Sequence, residues 1–382
     1  MRDILPGEKR VREELLAQIR ALYSSRGFQE IETPALEELD RLTSGQGGDN
    51  EKLVFKVQKR GEEFERSLEA GSELADLGLR FDLTVPLTRY FASNRAKLPR
   101  VFKAIQIGNV WRAERPQKGR YRQFLQCDID IIGESSQLAE LELISASLAA
   151  LNAIGLDGAT VRINDRRLLT EALEAAGITS GAERALITID KLDKIGLDGV
   201  RKELEADFGA SAAGAVTKWL EDSQGAQMPD LLSWTSSLGE DLEKVRFDAS
   251  LVRGMGYYTG AIFEIEYPGV EYSIGGGGRY DSMVGRWAGT DSPAVGISLG
   301  IERIIDLVQP PQKRAGSVVL LIDENLEAAL NAQRQLNQKG MEVRLERKAK
   351  NLKAQLEELA AQGYESFAFL PDAGEIELKP LD

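Results

Sequence analysis

The sequence predicts an α+β protein of two or three domains, and three stretches carry that prediction. Residues 100–133 read as two strands, with IQIGNVWRA and YRQFLQCDIDIIG joined by the basic loop ERPQKGR. Residues 164–245 become charged and helical, through DRRLLTEALEAAG, DKLDKIG, GVRKELEADFG and VTKWLED. From 317 onward strand-like and helix-like text alternates, as in a small α/β domain. At 382 residues the chain is also too long for one ordinary core.

The elements follow in order. Val11, Leu15, Ile19 and Leu22 recur at helical spacing from Pro6 to Gly27, where glycine stops the helix. A short strand in FQEIETPALEEL ends at Pro34, and TSGQGGDN (43–50) is a flexible loop. LGLRFDLTVPLTRYFA reads as a strand running into a helix. In QCDIDIIG, Gln126, Asp128 and Asp130 share one strand face by period two, and Cys127, Ile129 and Ile131 share the other. Three polar side chains on one face of such a strand call for something polar above them. A helix over 138–154 stops at Gly155. After the helical stretch, strand-like text returns in VRGMGYYTGAIFEIEY and YSIGGGGRYDSMVG, and SPAVGISLGIERIIDLV is a strand entering a helix. PPQKR (310–314) reads as a linker. Beyond it come SVVLLID, a helix near 324–339, MEVRLER, a helix near 351–362, YESFAFL and EIELKPL.

Composition narrows the chemistry. Hydrophobic residues make up 42% and charged residues 29%, a globular balance. No apolar run approaches the roughly 20 residues of a membrane helix, and MRDILPGEKR lacks a secretory apolar stretch, so the cytoplasm is expected. Cys127 is the sole cysteine, which excludes an intramolecular disulfide and a multi-cysteine zinc site. The net charge of −13 argues mildly against nucleic-acid binding. Phosphate contacts need only a local basic surface, however, and Arg112, Arg115, Lys118, Arg120 and Arg122 supply one. The chain has no histidine, which removes the usual nucleophile–histidine systems and the commonest metal ligand. Phosphoryl and nucleotidyl chemistry fits that limit, because positioning and charge stabilisation carry it. GxxxxGK[ST] is absent, and Gly275–Gly278 does not fit GxGxxG.

At this point the motifs resemble class II aminoacyl-tRNA synthetases, specifically the histidyl-tRNA synthetase family, over nearly the whole chain. RDILP with GFQEIETPALE resembles the opening and motif 1, ending at Pro34. VWRAERPQKGRYRQFLQCDIDIIG resembles motif 2. LVRGMGYYTG and GGGGRYDSMVG are similar to two signatures peculiar to histidyl enzymes. VGISLGIERI resembles motif 3, ending at Arg303, and the tail resembles an anticodon-binding domain. The resemblance implies an antiparallel catalytic sheet with flanking helices, a helical insertion and an anticodon-binding-like α/β domain. Its implied boundaries are 1–163 and 246–309 for the two parts of the catalytic domain, 164–245 for the insertion and 317–382 for the last domain. It implies a homodimer built partly through motif 1. It also implies a two-step reaction: histidine attacks the α-phosphate of ATP to give histidyl-adenylate, and tRNA(His) then takes the histidyl group. Magnesium is expected with ATP, with no protein ligand assigned to it.

Roles carry over residue by residue. Arg112 would bind the α-phosphate and the substrate carboxylate, since guanidinium is always charged and grips two oxygens; a surface ion pair with Glu114 is the alternative. Arg253 would stabilise charge at the reacting phosphate, or else be structural beside a glycine turn. Gln126 and Asp130 would line the histidine pocket, with Asp130 a shorter stand-in for the family's usual glutamate. Asp82 and Thr84 would accept from the α-ammonium, or cap the helix that follows; both can hold. Tyr257 and Tyr258 would close on the imidazole, and as adjacent strand residues only one would touch substrate, the other packing in the core. Glu114 and Arg303 match ATP-handling positions, with an ion pair the alternative for Glu114. Gly275–Gly278 would let backbone approach ligand, or else mark a crowded strand crossing. Gln117, Lys118 and Arg120 would meet the tRNA acceptor end, or form a solvated basic loop.

Leu125 and Gly256 depart from the family's common residues, an aromatic or histidine and an aspartate respectively, and both termini are expected to be shorter than usual. The chief competing reading is the non-catalytic regulatory subunit of ATP phosphoribosyltransferase, which resembles the same catalytic domain. The presence of Arg112, Arg253 and Arg303 together with an α/β tail favours the synthetase. An adenylating ligase with another acceptor is a further alternative.

Overall fold

The computed structural model describes residues 1–43, 53–115, 121–223, 225–253, 256–289, 291–308, 314–371 and 376–381. The expected loop at 44–50, the motif 2 loop with Gln117, Lys118 and Arg120, and the linker at 310–313 lie outside them. The chain forms two compact units, residues 1–3 with 12–308 and residues 4–11 with 309–382.

The strands of the first unit are β1 (Gln29–Ile31), β2 (Leu36–Glu38), β3 (Phe55–Gln58), β4 (Ala75–Leu79), β5 (Phe102–Trp111), β6 (Gln123–Ile132), β7 (Thr160–Asp165), β8 (Val245–Phe247), β9 (Ala261–Glu266), β10 (Gly275–Arg279) and β11 (Ala294–Gly300). Eight of them form one sheet in the order β1-β5-β6-β11-β10-β9-β7-β8. Only its outer pairs, β1/β5 and β7/β8, run parallel. The six strands between are antiparallel, as the resemblance implies. A small antiparallel sheet, β2-β4-β3, stands apart from it.

One face of the large sheet is apolar. Cys127, Ile129 and Ile131 of β6 are buried there, with Val295, Ile297 and Leu299 of β11 in register beside them. The helix Leu138–Ala153 packs against these two strands and carries buried Leu143, Ile144 and Leu151. Each fully buried leucine or isoleucine of this kind stabilises the fold by about 1.5–3 kcal/mol. The helical stretch leaves the sheet at the end of β7 and returns at β8, its parallel neighbour. It contains helices Arg166–Ala175, Ala182–Ile189, Leu192–Phe208 and Ala210–Asp222 and a 3-10 stretch, Asp230–Lys244. Its Leu169, Leu173, Val200 and Leu204 share a hydrophobic cluster with Phe81, Val85 and Phe91.

The second unit has the sheet β13-β12-β14-β15, from β12 (Arg314–Ile322), β13 (Glu342–Arg347), β14 (Tyr364–Phe369) and β15 (Lys379–Pro380). Its first three strands are parallel, so both faces need cover. Alternation along β12 provides it. Val319 and Leu321 meet Leu359 on one side, and Leu320 and Ile322 meet Ala329 and Ala332 on the other. The covering helices Leu326–Gln338 and Leu352–Ala361 are capped by Asn325 and Asn351, whose side chains accept from the N–H of Ala328 and Ala354. The EIELKPL strand shrinks to the two residues of β15, beyond which the Leu381 N–H still donates to the Glu365 carbonyl at 2.9 Å.

Candidate active site

The other face of the large sheet is polar, and the strand register shows why it makes a site. Six strands contribute one row in register: Gln106 (β5), Asp128 (β6), Ser298 (β11), Gly276 (β10), Glu264 (β9) and Arg162 (β7). A parallel row sets Asp130 between Ala104 and Gly296, and Gln126 lies between Gly108 and Gly300. The polar side chains of β6 are thus flanked mostly by residues with little or no side chain, which opens space above them. The space is a cavity of about 410 Å³, lined by Asp82, Thr84, Arg112, Glu114, Gln126, Asp130, Arg253, Tyr257, Tyr258 and Arg303 among others. The described residues given catalytic, histidine-binding or ATP-binding roles from sequence therefore all line one cavity.

The glycines are needed for packing. A Cβ on Gly277 would stand 1.8 Å from the Gly296 carbonyl oxygen, and one on Gly276 would stand 2.6 Å from Arg253 Nη1. A Cβ on Gly296 would lie 1.9 Å from Asp130 Oδ1. Both readings of the Gly275–Gly278 run hold together. The strand is crowded by its neighbours, and Gly275, Gly276 and Gly277 also line the cavity.

The loop carrying Asp82 is fixed from two sides. Gln106 Nε2 donates to the Leu83 carbonyl at 2.9 Å, and Arg112 Nε donates to the Phe81 carbonyl at 3.0 Å. Asp82 Oδ1 accepts from the Val85 N–H at 3.1 Å at the start of the helix Thr84–Asn94, so Asp82 does steady the helix entry. Its Oδ2 remains on the cavity side, with a long 3.5 Å bond from the Tyr257 hydroxyl. Burial pushes the Asp82 carboxyl up to about 6, against the Val85 bond and the Arg112 charge. Arg112 directly follows β5, where its N–H donates to the Arg122 carbonyl at 2.9 Å and its guanidinium lies over the Phe124 ring. Arg112 lines the cavity from this position.

On β6, the Tyr280 hydroxyl donates to Asp130 Oδ1 at 2.6 Å, and Asp130 Oδ2 is buried without a partner. Burial pushes this carboxyl up to about 7 despite the Tyr280 bond. Gln126 Nε2 donates to Ser298 Oγ at 2.6 Å, and Gln126 Oε1 has no partner. Arg253 has φ of 59°, the only positive φ of a non-glycine among the described residues. Its Nη1 donates to Glu264 Oε2 at 2.9 Å. Burial works against the Arg253 charge, but the nearby Tyr258 and Glu264 oxygens outweigh it. Arg303 Nη1 donates to the Ser273 carbonyl at 2.6 Å and its guanidinium lies over the Tyr272 ring.

One expectation is corrected. Tyr257 lies in a turn and Tyr258 in irregular chain before β9, neither in a strand, so strand alternation does not apply to them. Their rings meet edge-on at 4.9 Å and both line the cavity. Residues with no assigned role also belong here: Asp128, Ser298, Glu264, Tyr280 and Asp190. The period-two face flagged Asp128 and the text GGGGRYD contained Tyr280. Nothing local pointed to Glu264 or to Asp190, which arrives from the helical stretch.

Chemically, the cavity sets guanidinium groups near buried carboxyls, a layout for joining an anionic donor to a substrate that carries both ammonium and carboxylate groups. Comparison with known proteins agrees. A profile of the histidyl-tRNA synthetase family matches residues 1–304. The chain is 50% identical to the histidine–tRNA ligase of Leifsonia xyli subsp. xyli, over all of this chain and 97% of that protein. The chain belongs to the histidyl-tRNA synthetase family. It is therefore an enzyme, a class II aminoacyl-tRNA ligase. The histidyl-tRNA synthetase alignment to the Leifsonia protein runs to 419 positions over the 382 residues here, so that relative carries residues within the matched span that this chain lacks. A probable histidine–tRNA ligase of Tropheryma whipplei is 40% identical over all of this chain and 98% of its own. Among solved structures, a histidyl-tRNA synthetase from Nostoc superposes with a TM-score of 0.73 at 27% identity, covering 96% of this chain and 89% of that one. The fold also matches a Bacillus halodurans protein titled an ATP phosphoribosyltransferase regulatory subunit/histidyl-tRNA synthetase, with a TM-score of 0.76 at 22% identity over 97% of this chain and 96% of that one.

Proposed function

We propose that the cavity is where this histidine–tRNA ligase joins histidine to ATP, and that its side chains divide the work as follows. The observation that supports this best is the convergence of Arg112 and Arg253 with three buried carboxyls, Asp82, Asp128 and Asp130, on one cavity. Asp82 and Thr84 take the α-ammonium, and Gln126, Asp130, Tyr257 and Tyr258 surround the imidazole. Arg112 aligns the substrate carboxylate against the α-phosphate of ATP. The carboxylate oxygen attacks that phosphorus and pyrophosphate leaves, giving histidyl-adenylate. Arg253 faces the developing charge on the phosphoryl oxygens, where a preorganised cation is worth most. Glu114 and Arg303 hold the rest of the nucleotide. The terminal ribose hydroxyl of tRNA(His) then attacks the histidyl carbonyl and AMP leaves. Gln117, Lys118 and Arg120 meet the acceptor end of that tRNA, and the second unit reads its anticodon.

Among the described residues no three acidic or cysteine side chains converge as a metal cage. Magnesium is expected to accompany ATP, bound chiefly on its phosphates. A homodimer joined through the motif 1 segment is part of the same reading, on the strength of the motif resemblance. So is a cytoplasmic location. Among the described residues no helix is long and apolar enough to cross a membrane.

The test is ATP–pyrophosphate exchange with each standard amino acid in turn, followed by charging of total tRNA. Exchange and charging with histidine alone are expected. No exchange with histidine would overturn the reading, and a stimulating effect on ATP phosphoribosyltransferase in its place would establish the regulatory alternative.

A further inference from the structure

The floor of the cavity has more acceptor atoms than the roles above use. Gln126, Asp128 and Asp130 alternate along β6 and are only 7%, 3% and 2% exposed. Each has one side-chain oxygen with no hydrogen-bond partner: Gln126 Oε1, Asp128 Oδ1 and Asp130 Oδ2. The partnered atoms determine this arrangement. Ser298 Oγ accepts from Gln126 Nε2, which leaves its own proton available to Asp128, whose carboxyl it favours in the charged form. The Tyr280 proton is committed to Asp130 Oδ1. A buried oxygen without a donor costs free energy, and three at one place call for a ligand that brings donors.

We propose that Asp128 is a specificity residue that pairs with Asp130 to take the substrate ring as the imidazolium, each carboxylate accepting one ring N–H. This rests on the reading of the cavity as the histidine-activating site. A neutral imidazole has one N–H and one bare nitrogen, and the bare nitrogen would face an acceptor. The imidazolium has two donors and a positive charge. No outside acid is needed. Burial and repulsion by Asp130 push the Asp128 carboxyl well above the usual range, and burial with repulsion by Asp82 pushes Asp130 up to about 7, so the empty pair holds a proton near neutral pH. On binding, that carboxylic O–H breaks and a ring N–H forms. The other charged groups facing Asp128 are Asp82, Arg112 and Arg80. Asp82 is left for the α-ammonium, and Arg112 and Arg80 help hold the pair anionic. Tyr257 and Tyr280 stand beside the pair as neutral phenols.

Two measurements test this. Pyrophosphate exchange is followed for the wild type and Asp128→Asn, with histidine and with the amino acid bearing a 1,2,4-triazole ring, which is too weakly basic to protonate at neutral pH. Asp128→Asn should lower kcat/KM for histidine about tenfold or more, the loss of one charge-assisted bond, and should change the triazole value by less than about threefold. Nitrogen NMR of ring-labelled histidine bound to the wild type should show two protonated ring nitrogens, and this does not depend on the variant folding. The proposal is overturned by equal losses for both substrates, by no loss for histidine, or by a bare ring nitrogen in the wild-type complex. If the wild type activates histidine and any of these results appears, only this proposal falls. If the wild type does not activate histidine, the reading beneath it falls as well.

Discussion

Arg253 reaches Glu264 at 2.9 Å across the Cα of Gly276, the residue that lies between Glu264 and Ser298 in the sheet row. The far oxygen of Glu264 lies 3.4 Å from Arg162 Nη1, which also donates to Glu266, while Arg162 Nε donates to Asp248. A guanidinium on a left-handed backbone is thus held in place from behind by a carboxylate that is itself anchored.

That geometry makes Arg253→Ala a test of catalysis separate from folding. Removing a charge aimed at the phosphoryl oxygens should lower kcat for adenylate formation by about 100- to 1,000-fold, with a smaller change in KM for histidine. Arg253→Gly should be equally inactive but at least as stable as the alanine variant, because glycine accepts the φ of 59° without strain. Exchange kinetics and thermal unfolding on both variants check this; near-normal kcat in either would remove Arg253 from the mechanism.

Asp82→Asn should separate stability from binding. The carboxyl stands near 6 in the folded protein, raised mainly by burial, against about 3.9 in an unfolded chain. Between these values the folded state holds more protons, so this group's contribution to stability falls as pH rises from about 4 to about 6 and stays low above that. The asparagine variant lacks that loss and keeps the bond to the Val85 N–H. At pH 8 it should unfold at the same temperature as the wild type or higher, while KM for histidine rises at least about tenfold as the ammonium loses its charged partner. A lower unfolding temperature with unchanged KM would contradict the assignment.

Gly277→Ala should damage the sheet itself. The added methyl would meet the Gly296 carbonyl at 1.8 Å, with backbone atoms on the neighbouring strand that cannot rotate away. A loss of about 3 kcal/mol or more is expected, the upper end for overpacking. Denaturant unfolding measures it, and wild-type stability would mean that β10 and β11 can separate.

Glu302 joins distant segments: its Oε1 accepts from Arg12 Nη2 and its Oε2 from the Leu125 N–H, both at 2.7 Å. Glu302→Ala leaves a buried arginine and a buried N–H unpaired, and should cost about 3–5 kcal/mol. Glu302→Gln should cost less, since one oxygen can still accept from Leu125. Equal unfolding midpoints for the two variants would show that the Leu125 bond contributes nothing once the Arg12 ion pair is lost.

Much of the site was legible in local text. Period two along QCDIDIIG placed Gln126, Asp128 and Asp130 on one face because a strand alternates whatever surrounds it. Asp82 before TVPLT was readable both as a helix-entry residue and as an acceptor, and it serves the first while facing the cavity with its other oxygen. Tyr257 and Tyr258 were misread as strand residues, because aromatic text resembles a strand even where the chain turns.

The sequence by itself determined the order of elements, the polar face of β6 and the motifs that mark a class II ligase, since all of these depend on near neighbours in the chain. Only the tertiary structure decided what lies beside them. The register of β6 with β11 sets Asp130 beside Gly296 and Asp128 beside Ser298, and the Tyr280 hydroxyl reaches Asp130 across 150 residues. Glu264 comes behind Arg253 only because β9 pairs with β10. Such pairings depend on which distant strands meet and in what register, and side-chain periodicity within one strand carries no record of its partner.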